Sequence, residues 1–175
     1  MEFLVEDGSG LQSATSYCSL DFADSYLGID LNQTGWNENI APEAREFLLM
    51  RATETLDLFY TWRGQRQSYT QALDWPRKGV KTAELGQLPV DAVPVAVQRA
   101  TAALAATLYT SDPFEPLGTT GFKRIEVDVI KLEIDRQDKP SALPPKVLRL
   151  LREYGHAAQP RSRFVQIGGT WDSQQ

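Results

Sequence analysis

Proline punctuation narrows most sharply what this chain can fold into. Proline fixes φ near −65° and has no backbone N–H, so helix interiors reject it while the first helical turn accepts it. Pro42, Pro94 and the pair Pro144-Pro145 each stand where apolar residues begin to recur at helical spacing. After Pro42, Glu43 and Glu46 occupy the first turn, favourable at the positive end of the helix dipole. Ala44, Phe47, Leu48, Arg51, Ala52, Thr55, Leu56 and Phe59 then form a stripe, which predicts a helix from Pro42 to about Tyr60. Arg51 reads as a structural residue, its stem along apolar surface and its charge toward water or a carboxylate.

From Pro94 to about Thr110, Val97, Ala100, Thr101, Leu104 and Leu108 share one side, and the intervening alanines permit close helix approach. Val147, Leu148, Leu151 and Tyr154 follow Pro144-Pro145 in a last helix that Gly155 ends. A shorter helix needs no proline, because Ser19 is an N-cap, Asp21 sits in the first turn, and Leu20, Ala23, Tyr26 and Leu27 lead to Gly28.

The other segments follow different periods. Ile125, Val127 and Val129 alternate with acids, as do Leu132 and Ile134 with Lys131, Glu133 and Asp135. A β-hairpin is expected over about 122–136, with its turn or bulge near Asp128 to Lys131. Residues 61–93 hold no sustained period and contain Gly64, Gly79, Gly86, Pro76 and Pro89, so they read as a long connection of the kind that serves function or a partner. Residues 1–18, broken by Asp7-Gly8-Ser9-Gly10, read as an extended arm. The last segment, 160–175, is too polar and glycine-rich to form a core, yet Phe164, Val165, Ile167 and Trp171 are poor residues for a free tail, so it is expected to dock on a neighbour. The predicted fold is mainly α: a small bundle of about four helices with a β-hairpin and extended N- and C-terminal arms. Residues 1–159 form a single domain and 160–175 a C-terminal arm.

Residues that carry chemistry are sparse. The single cysteine, Cys18, excludes an internal disulfide, has no partner for a thiolate metal site, and suits a small buried apolar position. His156, the one histidine, follows a predicted helix end, where capping accounts for it. No GxxxxGK[ST], GxGxxG, HExxH or DxDxDG pattern occurs, so the expectation is no enzyme, no cofactor and no metal. The opening MEFLVEDGSG carries acids where a signal peptide needs bases, and no apolar run approaches the roughly 18 residues of a membrane span, so the expectation is a soluble cytoplasmic protein without membrane contact. Residues 1–62 balance 11 acids against Arg45 and Arg51, a charge of −9, while the remainder holds 16 bases and 12 acids, a charge of +4. Such asymmetry lets copies attract head to tail or lets each end meet a different partner; solvated faces alone would also produce it.

The run from Ala72 to Val80 is the most unusual feature, with Trp75-Pro76-Arg77-Lys78 at its centre and Trp62, Arg63, Arg66 and Tyr69 before it. Aromatics among cations can stack on single-stranded nucleic acid while the charges follow its backbone, giving Arg66, Arg77 and Lys78 as candidate DNA contacts. The competing reading makes Trp75 an anchor plugging a small core. Trp62, Arg63, Trp75, Arg77, Lys78, Phe164, Ile167 and Trp171 are the candidate partner-interface residues.

The order of several motifs resembles a family of small tailed-phage proteins, labelled DnaT-like single-stranded-DNA-binding proteins, that act as head-tail connectors. The residues concerned are Val5 to Gly10 with Ala14 to Ser19, Arg51-Ala52-Thr53 with Leu56-Asp57, and Gln71 to Val80, then Val93-Pro94 with Gln98-Arg99-Ala100, and Lys123 to Val127. Together they span most of 4–152, and Gln71 to Val80 is the most specific. The chain departs from the pattern at Val129-Ile130, where a glycine turn is common, and in its aromatic C-terminal arm. The resemblance implies a structural virion protein of the phage neck, made in the host cytoplasm. It would form a ring of about twelve copies and bind portal and a tail or second neck protein, with contact to packaged double-stranded DNA. The alternative is a single-stranded-DNA-binding protein. Neither implies catalytic residues.

Overall fold

Among the described residues, four helices form where the caps and prolines place them. In the computed structural model, which describes residues 2–29, 36, 39–84, 86–110, 124–127, 130–133 and 143–158, α1 spans Leu20–Leu27. Ser19 caps it by accepting the N–H of Phe22. Helix α2 covers Pro42–Phe59 with Pro42 in its first turn, α3 covers Val95–Thr110, and α4 covers Pro145–Leu151. Pro94 stands just before α3, and its carbonyl accepts the N–H groups of Val97 and Gln98. Helix α3 packs against all three others. Its run from Ala100 to Ala106 is buried, because alanine side chains let neighbouring backbones come close on several sides.

The inward face of α2 differs from the predicted stripe. Arg45, Leu49, Ala52, Thr53, Thr55 and Leu56 are buried, while Phe47 and Leu58 are 60% and 66% exposed. Hydrophobicity alone assigns that face wrongly, because two of its polar members have partners inside. Arg45 pairs with Asp24 at 2.5 Å, and Thr53 donates to the carbonyl of Leu49 and accepts the N–H of Tyr17. A buried polar group that keeps its hydrogen bonds is tolerated.

Strand β1 (Tyr60–Trp62) continues α2 without a loop and pairs antiparallel with β8 (Gly155–Ala157). Gly155 faces Thr61 so closely that a Cβ there would run into the Thr61 carbonyl. Helix α4 ends at Leu151, before Gly155, and His156 lies exposed on a strand instead of capping a helix. Three short ribbons complete the described architecture: β2 (Gln65–Arg66) with β3 (Arg77–Lys78), β4 (Lys81–Thr82) with β5 (Gly86–Gln87), and β6 (Arg124–Val127) with β7 (Ile130–Glu133). The last is the predicted hairpin, but Val127 pairs with Ile130, so its second strand starts earlier than alternation suggested. The C-terminal arm, 160–175, lies outside the described residues.

The N-terminal segment contains no helix, yet it folds back on the domain instead of extending from it. Both carboxylate oxygens of the buried Glu6 are used: Oε1 accepts the N–H groups of Gly8 and Gly10, and Oε2 that of Leu11, each at 2.9 Å. The carbonyl of Leu4 accepts from Thr15 and Ser16 and closes the loop. Gly8, at φ +102°, lies against the Asp91 carbonyl, where a side chain could not fit.

A polar hub joins this loop to α2 and the connection after it. Tyr17 Oη donates to Asp57 at 2.5 Å and accepts the N–H groups of Asp74 and Trp75, while the Trp62 indole N–H donates to Asp57 at 3.2 Å. Burial raises the Asp57 carboxyl from 3.8 to about 6, against the lowering influence of the Tyr17 hydrogen bond. The folded value lies above the unfolded one, so this group's contribution is fully present below about pH 4 and lost as pH rises through 6. Denaturant titrations should show wild type gaining about 1 kcal/mol relative to Asp57→Asn between pH 7 and pH 5. Identical pH slopes in the two proteins would refute that assignment.

Candidate functional site

The connection between α2 and α3 is ordered by its own side chains. Gln71 is buried; its carbonyl oxygen accepts the N–H of Ser68 at 2.8 Å, and its amide nitrogen donates to the carbonyls of Leu73 and Pro76. Arg77 acts as a strap: Nε donates to the Arg63 carbonyl at 2.8 Å, Nη2 to that of Gly64 at 2.9 Å, and Nη1 to that of Asp74 at 3.0 Å. Burial lowers the Arg77 pKa while Asp74 opposes the shift. The Asp74 carboxylate accepts from Arg66 at 2.8 Å. These bonds hold a tight fold around the cis Trp75-Pro76 peptide.

Trp75 is fully buried, with its ring 5.8 Å from that of Trp62 and 6.0 Å from that of Tyr154, both edge-on. Trp62, 6% exposed, also meets Tyr60 at 4.8 Å and Tyr17 at 6.4 Å. The structure thus corrects the surface reading of Trp62, Trp75 and Arg77. All three are interior, and neither indole offers a face to a base. The anchor role weighed for Trp75 matches its position.

What remains outside is a cationic ribbon with an aromatic tip. On β2 and β3, Gln65 lies opposite Lys78 and Arg66 opposite Arg77; Gln65, Arg66 and Lys78 are exposed, as are Arg63 just before and Lys81 just after. The loop joining the two strands carries Tyr69 at 93% exposure. Tyr69 is one of the aromatics that the sequence places before the motif; Gln65 and Lys81 are new to this surface. Their signal was the in-out alternation from Trp62 to Arg63 and from Arg77 to Lys78, readable only once the indoles are known to point inward. Arg66 is restrained by Asp74, and Arg63 Nη1 donates to the Glu153 carbonyl. Phe164, Ile167 and Trp171 lie outside the described residues.

Among the described residues no three His, Cys, Asp or Glu side chains cluster to hold a metal ion, and no helix is long and apolar enough to cross a membrane. Cys18 is buried beside Ser16, and burial pushes its thiol up to about 12, so at neutral pH it carries almost no reactive thiolate. Arg77→Ala should remove three bonds from a charged donor and destabilise the fold by about 3 kcal/mol, whereas Lys78→Ala should stay within about 0.5 kcal/mol. Urea unfolding of both variants checks the contrast.

The sequence matches the family described as "Putative DnaT-like ssDNA binding protein" over residues 1–166. No curated protein and no solved structure matches significantly. The matched span takes in the Glu6 loop, the four helices, the Trp75 fold and strand β8. The chain belongs to this DnaT-like ssDNA-binding family.

Proposed function

We propose that this protein is a non-enzymatic binding protein that holds single-stranded DNA on the β2–β3 ribbon. The observation that carries the reading is the Tyr69 ring, 93% exposed on a loop whose flanking strands present Arg66 and Lys78 outward. A base stacks on Tyr69 while Arg63, Arg66, Lys78 and Lys81 follow the phosphates; family membership supports the same ligand class. With a net charge of −5, the attraction is local to this ribbon, so binding is weak and steeply salt-dependent. Fluorescence anisotropy with a labelled oligothymidylate at low salt should show binding that Tyr69→Ala weakens roughly tenfold. Lys78→Ala should lower the slope of log K against log salt by about 0.7. No binding at low salt, or a Tyr69→Ala protein that binds as wild type, would overturn the reading.

A second reading, an adaptor in the neck of a tailed phage, is favoured by the apolar residues α2 turns outward, Phe47 and Leu58. Surface of that chemistry suits protein contacts, and the −9 and +4 charge balance of the two parts of the chain suits head-to-tail association. Here copies form a ring, about twelve by the family resemblance, between portal and tail or a second neck protein in the virion, around packaged double-stranded DNA. Electron microscopy of the protein mixed with portal should then show rings. A protein that never binds portal, and whose deletion leaves tails on filled heads, excludes it.

A further inference from the structure

The outer face of α2 borders a groove of about 670 Å³, whose lining includes Ala14, Phe47, Met50, Leu58, Ala72 and Leu73. Its rim residues Phe47 and Leu58 are exposed large apolar side chains, which soluble proteins usually cover when they cluster. We propose that this groove is the docking site for the C-terminal segment of the same chain, with Phe164, Val165, Ile167 and Trp171 as its apolar contacts.

The exit point of the chain favours this occupant. Strand β8 runs antiparallel to β1, which continues α2, so the described backbone ends beside the end of α2: the Ala158 N–H donates to the Phe59 carbonyl at 2.8 Å. The next residue along the helix from Phe59 is Leu58, at one end of the groove. From Leu58 to Phe47 the helix spans 11 positions, roughly 16 Å at about 1.5 Å each. Six residues separate Ala158 from Phe164, a span of at most roughly 20 Å at about 3.3 Å each, which is enough to cover the length of that face. Tethering makes the contact intramolecular, which favours it over capture of a second copy.

The groove shares Arg66 with the DNA reading, but Tyr69, Lys78 and Lys81 do not line it, so Tyr69→Ala and Lys78→Ala test DNA binding through side chains that the docking does not use. Tryptophan accessibility tests the docking in the full chain. Of the four tryptophans, Trp36, Trp62 and Trp75 are 3%, 6% and 0% exposed, leaving Trp171 to report. Acrylamide should quench wild-type emission weakly. Leu58→Glu should make the one remaining tryptophan of the four quenchable, with far-UV circular dichroism unchanged, and adding Trp171→Phe should abolish the increase. Phe47→Ser should act as Leu58→Glu does, so a folding defect in one variant does not decide the matter. Unchanged quenching in both groove variants overturns the proposal. Wild-type quenching that rises when the protein is diluted about a hundredfold assigns the groove to a second copy and equally overturns it.

Discussion

The Trp75 indole lies edge-on to the rings of Trp62 and Tyr154, and much of the chain is bent to keep it there. Trp62 comes from the strand that continues α2, Tyr154 from the turn after α4, and Trp75 from the connection between α2 and α3, so one aromatic contact set ties three distant stretches. Edge-to-face aromatic pairs contribute about 0.5–1.5 kcal/mol each beyond the area they bury. The hub of Tyr17 and Asp57 orients the same tryptophan by accepting its backbone N–H at Tyr17 and the Trp62 indole N–H at Asp57. Tyr60 adds a bond from its hydroxyl to the Leu151 carbonyl at 2.6 Å, fixing the end of α4 to the same cluster.

That arrangement changes what the Gln71 to Val80 motif means. Gln71 and Arg77 together satisfy backbone groups that a tight loop would otherwise leave without partners, and Asp74 joins Arg66 to Arg77. The motif is a scaffold, and the exposed cations and ring around it are Arg63, Arg66, Tyr69, Lys78 and Lys81, with Lys78 opposite Gln65 and Arg66 opposite the buried Arg77. The Phe47 to Leu58 face of α2 is a second surface of different character. One carries cations and an exposed ring, the other large apolar side chains.

Much of the secondary structure was legible because its signals are local. Ser19, Pro42, Pro94 and Pro145 mark helix starts through their own backbone constraints, and the alternation at Ile125 and Val127 marks a strand without reference to anything distant. The failures share one cause. The inward face of α2, the folded N-terminal loop and the strand at Gly155–Ala157 all depend on partners far away in sequence: Asp24 for Arg45, Asp91 for Gly8, and Thr61 for Gly155. Glu6 illustrates the point, since a glutamate beside Asp7-Gly8-Ser9-Gly10 reads as a solvated acid until its carboxylate is seen closing the loop.

The sequence by itself determined where the helices begin, that the chain is mainly helical, and which stretch holds its most distinctive motif, because prolines, caps and short-range periodicity act on the backbone within a few residues. Only the tertiary structure decided which side of α2 turns inward and whether Trp62, Trp75 and Arg77 meet a partner or the core. Burial is a property of what lies opposite a residue, and for these three what lies opposite is the rest of the chain: the rings around Trp62 and Trp75, and the three carbonyls that hold Arg77.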